Sequence, residues 1–110
     1  MPFRIDATPE FLSEAKKLAR KHPSLKNDIA TLAQRLADDP KQGTPLGKNT
    51  YKIRLAISSK GKGKSSGARV ITCVKIVGAV VYLVAIYDKS LQDTIADKEI
   101  NNRIKHLPGY

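Results

Sequence analysis

Tyr51-Lys52-Ile53-Arg54-Leu55 alternates apolar and cationic side chains. That is the period of a β-strand with one face in a core and the other offering fixed cations. Tyr51, Ile53, Leu55 and Ile57 share one face, and Lys52 and Arg54 share the opposite one. A hairpin after this strand brings Arg69 back beside the pair. Three cations near one concave surface hold a phosphodiester: arginine grips phosphate oxygens through paired N–H bonds, and lysine acts as a point charge. The same alternation also fits the solvated outer face of an ordinary amphipathic strand. Further on, Tyr87-Asp88-Lys89 ends an apolar run. Tyr87 and Lys89 can donate protons or hydrogen bonds there. The plainer alternative is a strand-end tyrosine packed on the core and an aspartate opening a helix.

These residues sit in a one-signed field. From Pro40 to Tyr87 there is no Asp or Glu, while Lys41, Lys48, Lys52, Arg54, Lys60, Lys62, Lys64, Arg69 and Lys75 all fall there. The formal net charge is +10. An excess concentrated in one segment favours a polyanionic partner, nucleic acid first, with an anionic membrane surface or an acidic protein as alternatives. Lys60-Gly61-Lys62-Gly63-Lys64 lacks the Walker spacing, so it is not read as a nucleotide cradle. Its glycines let Lys60, Lys62 and Lys64 follow a nucleic-acid backbone; a disordered, solubilising loop fits as well. Lys48 and Lys75 extend the same basic surface.

Other chemistries find little support. No carboxylate pair lies near the basic strands, which argues against metal-assisted hydrolysis. There is no CxxC and no histidine cluster, so neither a metal nor a cofactor is expected. The single cysteine, Cys73, reads as a small buried hydrophobe. His22 and His106 read as surface residues remote from the basic strands. Met1-Pro2-Phe3-Arg4-Ile5-Asp6 lacks a signal-peptide core, and the apolar stretch from Ile76 to Tyr87 is too short for a membrane helix. The expectation is a cytoplasmic protein without membrane contact.

The 110 residues suggest one domain, spanning 1–110. Phe3-Arg4-Ile5 suits a short first strand. Thr8-Pro9-Glu10 is a helix start, with a hydroxyl cap, a first-turn proline and an acid at the positive helix end. Phe11, Ala15, Leu18 and Ala19 continue at helical spacing. After His22-Pro23-Ser24, a second helix carries Leu25, Ile29, Leu32, Ala33 and Leu36 on one stripe, so the two form an antiparallel hairpin. Residues 42–47 read as a loop. Strands are expected at 51–57, 69–77 and 80–87, then a helix capped by Asp88 or Ser90 that carries Leu91, Ile95, Ala96, Ile100 and Ile104. The fold class is α+β: a small twisted, mainly antiparallel sheet with the helical hairpin on one face and a C-terminal helix. The second face is left partly open and edged by cations.

With this element order, with Tyr51-Lys52-Ile53-Arg54-Leu55, with the basic loop before Gly67-Ala68-Arg69-Val70, and with Ile86-Tyr87-Asp88-Lys89-Ser90, the chain resembles the RelE/ParE superfamily of bacterial type II toxins. The RelE- and HigB-like members are the nearest in pattern, and the resemblance covers roughly residues 3 to 96. It implies a microbial-RNase-type fold and a metal-independent endoribonuclease that cuts mRNA in the ribosomal A site and inhibits translation. It matches Lys52 and Arg54 to the basic pair, Arg69 to the phosphate-gripping arginine, and Lys89 to the position where many members carry arginine. Ile95 stands near the place of a frequent tyrosine; either Tyr87 or Tyr110 substitutes for it, or the chemistry leans on the cations alone. It also implies an acidic antitoxin with a helix-turn-helix domain that covers the basic face or displaces the last helix, operator DNA being reached only through it. Cleavage through a ribose 2′-OH needs that oxygen deprotonated, the phosphorane charge stabilised and the leaving 5′-oxygen protonated. Arg54 and Arg69 suit the middle task. Lys52 is a base only if neighbouring cations lower its pKa from about 10.4. The alternatives are a ParE-like inhibitor of DNA gyrase and a non-catalytic nucleic-acid-binding module.

Overall fold

The computed structural model describes residues 2–61 and 67–109. Five strands form one sheet: β1 (Arg4–Ala7), β2 (Thr44–Gly47), β3 (Thr50–Leu55), β4 (Ala68–Lys75) and β5 (Val80–Asp88). Their spatial order is β1-β5-β4-β3-β2. The first strand is parallel to β5, and the other neighbours are antiparallel. Two helices, α1 (Pro9–Lys21) and α2 (Leu25–Asp38), follow β1, and α3 (Asp97–Ile104) follows β5. The mainly antiparallel α+β sheet is as expected.

The helical hairpin forms where its end signals lie. The Thr8 hydroxyl accepts from the Phe11 amide at 3.1 Å, and Arg20 and Lys21 sit against the negative end of α1. Phe11, Leu25, Leu32 and Leu36 are buried against Ile53, Leu55, Val70, Val81 and Ile86 of the sheet. Burying one such side chain contributes roughly 1.5–3 kcal/mol.

Two expectations need correction. Residues 42–47 are not wholly a loop, because Thr44–Gly47 forms the edge strand β2, paired with β3. The last helix starts at Asp97, and Leu91 lies outside it, exposed. The second face is covered only in part. Ile95, Ile100, Ile104 and Leu107 cover Ile71, Cys73, Tyr82, Val84 and Tyr87 there.

β5 carries a bulge. Ile71 pairs with Ala85 but Thr72 pairs with Leu83, so Val84 is the extra residue. Strand alternation breaks at that point, and Val84 and Ala85 both face α3. The groups freed from the ladder find partners. The Val84 carbonyl accepts from Thr8 Oγ1 at 3.4 Å and from Arg103 Nη1 at 3.0 Å, and the Ile86 amide donates to Glu14 Oε1 at 3.2 Å. Beyond the bulge Ile86 faces the helical hairpin and Tyr87 the opposite side.

Candidate nucleic-acid interface

Arg54 lies directly opposite Arg69, and Arg69 directly opposite Tyr87. One row therefore crosses β3, β4 and β5 on the sheet face away from the helical hairpin. Lys52 is in the next row, opposite Ile71. Gly67 permits this pairing: a Cβ there would come within 2.3 Å of the Leu55 carbonyl oxygen. Like charges directly opposite in a sheet cost a few tenths to about 1 kcal/mol. Two arginines set face to face work against stability, a local cost that proteins accept mainly at functional sites.

Arg54 is exposed, Lys52 half-buried and Arg69 buried. The Arg69 guanidinium donates from Nη1 to the Ala68 carbonyl at 3.2 Å, which fixes its plane near the sheet. Tyr87 is 5 % exposed, and its hydroxyl is buried without a hydrogen-bond partner among the described residues. A lone buried hydroxyl costs about 1–3 kcal/mol. Lys89 follows the strand; its amide donates to the Gly67 carbonyl at 3.0 Å, and its ammonium pairs with Asp93. The Asp93 carboxyl is held below its usual range by the hydrogen bond and charge of Lys89, and in smaller part by Lys52. Asp93 is thus the carboxylate set beside the basic row, a residue that sequence reasoning missed because it fell in an expected helix.

The bulge decides what faces the row. Unbroken alternation would turn Ile86 and Asp88 toward the cations; the extra residue turns Tyr87 there instead and sends Asp88 to the helical side. On that side Asp88 Oδ1 accepts from Lys60 Nζ at 3.1 Å, and Oδ2 lies 3.3 Å from His22 Nε2. Burial raises the Asp88 pKa, but the Ser90 hydroxyl and amide and the Lys60 ammonium outweigh it and hold it at about 2. His22 is accordingly half-buried rather than a surface residue. His106 is exposed, as expected.

The other cations are dispersed. Lys60 is committed to Asp88 and Ser90 rather than brought to the row. Lys75 lies six residues along β4 from Arg69, roughly 20 Å away, and donates to the Gly109 carbonyl. Lys48 projects from the β2–β3 turn. Lys62, Lys64 and Tyr110 lie outside the described residues. Among the described residues no group of three or more His, Cys, Asp or Glu side chains is placed to hold a metal ion, and no helix is long and apolar enough to cross a membrane.

A helix-backed, mainly antiparallel sheet thus carries a cationic row on its other face. The family model for the RelE toxin of RelE/RelB toxin–antitoxin systems matches residues 4–107, and the chain belongs to that family. No curated protein matches it by sequence. Among solved structures, a double arginine-to-alanine mutant of E. coli toxin RelE in the free state superposes with a TM-score of 0.64 at 18% identity, covering 97% of this chain and 99% of that one. The isolated E. coli RelE toxin gives 0.60 at 17% identity, covering 96% and 99%. The toxin–antitoxin complex RelBE2 from Mycobacterium tuberculosis gives 0.59 at 17% identity, covering 80% and 99%. At these identities the likeness is one of fold.

Proposed function

We propose that this toxin is a metal-independent endoribonuclease that cuts mRNA in the ribosomal A site, with a cognate antitoxin as its restraint. The observation that carries the reading is the row of Arg54, Arg69 and Tyr87 with Lys52 beside it. Arg54 and Arg69 lie where two guanidinium groups can share the extra charge of a pentacoordinate phosphate. Fixed cations act where charge develops, and removing one such donor typically costs about a hundred- to a thousandfold in rate. Lys52 and Lys89 flank the row as further electrostatic stabilisers. The Tyr87 hydroxyl is buried on the α3 side, so it can exchange a proton with the ribose or the leaving oxygen only when that cover moves aside. Clustered cations repel a divalent metal, in keeping with chemistry run through the 2′-OH. Membership of a toxin–antitoxin family and the solved complexes of its fold relatives support the antitoxin, whose acidic segment suits this basic surface.

Mapping mRNA ends on translating ribosomes tests the reading. Expected are cuts within A-site codons, products ending in a 2′,3′-cyclic phosphate, and cleavage that persists under chelation on ribosomes kept intact. Intact mRNA together with inhibited DNA gyrase would favour the ParE-like alternative instead.

A further inference from the structure

A second basic surface lies beyond the row. An open groove of about 1000 Å³ runs between α3 and the β2–β3 turn, and its polar lining includes Lys48, Lys98, Asn101, Asn102 and Lys105. Lys98, Asn101, Asn102 and Lys105 follow the three- and four-residue helical spacing, so α3 presents them on one face. The opposite face is anchored by Ile100 and Ile104. Glu99 also borders the groove, but its carboxylate accepts from Arg103 Nε at 2.8 Å, which leaves the lysine charge uncompensated. Asp97 borders the adjacent hollow of Leu46 and Gly47.

The turn opposite makes the same point independently. Lys48 and Asn49 have φ of 53° and 61°, two successive non-glycine residues in the left-handed region. This two-residue hairpin turn ordinarily takes Asn-Gly or Gly-Gly, and lysine at its first position is strained. The strained side chain sits at the groove wall, facing the α3 stripe. Among the described residues Ala96 is the only apolar one in the lining. A protein partner needs a large apolar anchor at the centre of its site; a phosphate backbone needs cations and amide donors.

We propose that this groove holds the single-stranded RNA on one side of the scissile phosphate, with Lys98 and Lys105 as backbone contacts and Asn101 and Asn102 as donors to phosphate or ribose oxygens. The inference rests on the reading of the row as an RNA-cutting site. Thr50, next to the turn, lies four residues along β3 from Arg54, about 13 Å, and Lys98 and Lys105 are about 10 Å apart along the helix. A dinucleotide bound at the row therefore does not reach the groove, while a longer strand does.

The test uses 2′-O-methyl RNA, which cannot be cut through its 2′ oxygen, as a dinucleotide and as a longer single strand, with binding followed by fluorescence anisotropy over a range of salt. Lys98→Gln/Lys105→Gln should lower the log–log salt slope for the longer strand by about 1.4, at about 0.7 for each phosphate that is no longer neutralised. Dinucleotide binding should stay the same, and Lys98→Arg/Lys105→Arg should restore the slope. An unchanged slope overturns the groove even if the wild type cuts mRNA. A lowered slope in a protein that cuts nothing keeps the groove and overturns only the chemistry assigned to the row. Failure of the wild type to bind single-stranded RNA at any salt overturns it. So does an unchanged RNA slope accompanied by weakened antitoxin binding, which would assign the surface to a protein.

Discussion

Arg69 and Tyr87 face each other in the same row but do opposite things to stability, and that difference separates their roles. Arg69 is buried with a backbone partner, so Arg69→Ala should lower stability modestly while lowering mRNA cleavage by about a hundred- to a thousandfold. Circular dichroism confirms the fold, and end mapping reads the rate; full cleavage by a folded variant would remove Arg69 from the site. The Tyr87 hydroxyl has no partner among the described residues. Taking it away relieves a desolvation cost, so Tyr87→Phe should leave the melting temperature unchanged or raise it. If that hydroxyl moves a proton, cleavage should still fall by about a hundredfold or more. A stable variant with undiminished cleavage would make Tyr87 a packing residue. Asp88 gives a prediction in pH. Its folded pKa, about 2 against the usual 3.8, is depressed. Its contribution is therefore fully present above pH 4 and lost as the pH falls toward 2. It amounts to about 2 kcal/mol, at 1.36 kcal/mol per pKa unit. Melting curves of the wild type and Asp88→Asn should converge over that window; a constant gap would assign the effect elsewhere.

At the scale of elements, α3 is held by charge as well as by its isoleucines. Arg103 donates to both Glu14 carboxylate oxygens at 2.9 Å, and its pKa is raised chiefly by that hydrogen bond, against burial, with Glu99 adding to it. Hydrogen bonds to charged groups contribute about 1.5–3 kcal/mol. Glu14→Gln should therefore raise hydrogen exchange of the α3 amides about tenfold or more while the β4 and β5 amides stay protected. Uniform loss of protection would mean that α3 and the sheet open together. The same elements mark what a linear reading reaches. The start of α1 was legible because Thr8, Pro9 and Glu10 each act locally. The start of α3 was not: Leu91 and Ile95 fit a helical stripe, yet Ile95 is an anchor in non-helical chain and Leu91 is exposed. Edge strand β2 hid behind Gly43, Pro45 and Gly47. The bulge at Val84 was invisible because Val80–Asp88 is nearly all apolar and buried on both faces, so no alternation was present to break.

For the whole molecule, the basic cluster was readable as composition, but the Arg54–Arg69–Tyr87 alignment depends on the register of two strand pairs and a bulge. The dispersal of Lys60 and Lys75 likewise follows from partners distant in sequence, Asp88 and the Gly109 carbonyl. The net charge of +10 still acts as a whole. Association with an acidic antitoxin should slow as salt rises, because exposed charges are screened beyond about 8 Å at physiological ionic strength. Stopped-flow mixing from low to high salt measures it, and a salt-independent rate would exclude electrostatic steering.

The strand order also has a consequence in time. Arg4 pairs with Val80, so the first strand to be synthesised waits for the last one. The helical hairpin waits too, because Val81, Leu83 and Ile86 supply much of the surface it covers. Chains grow from the N-terminus, and pairings distant in sequence are slow to close. A nascent chain that stops short of Val80 lacks β5 and Tyr87, and its paired arginines belong to an incomplete sheet. The row is thus incomplete in every translation product that stops short of Val80, and whatever harm it does begins only once the last strand has docked.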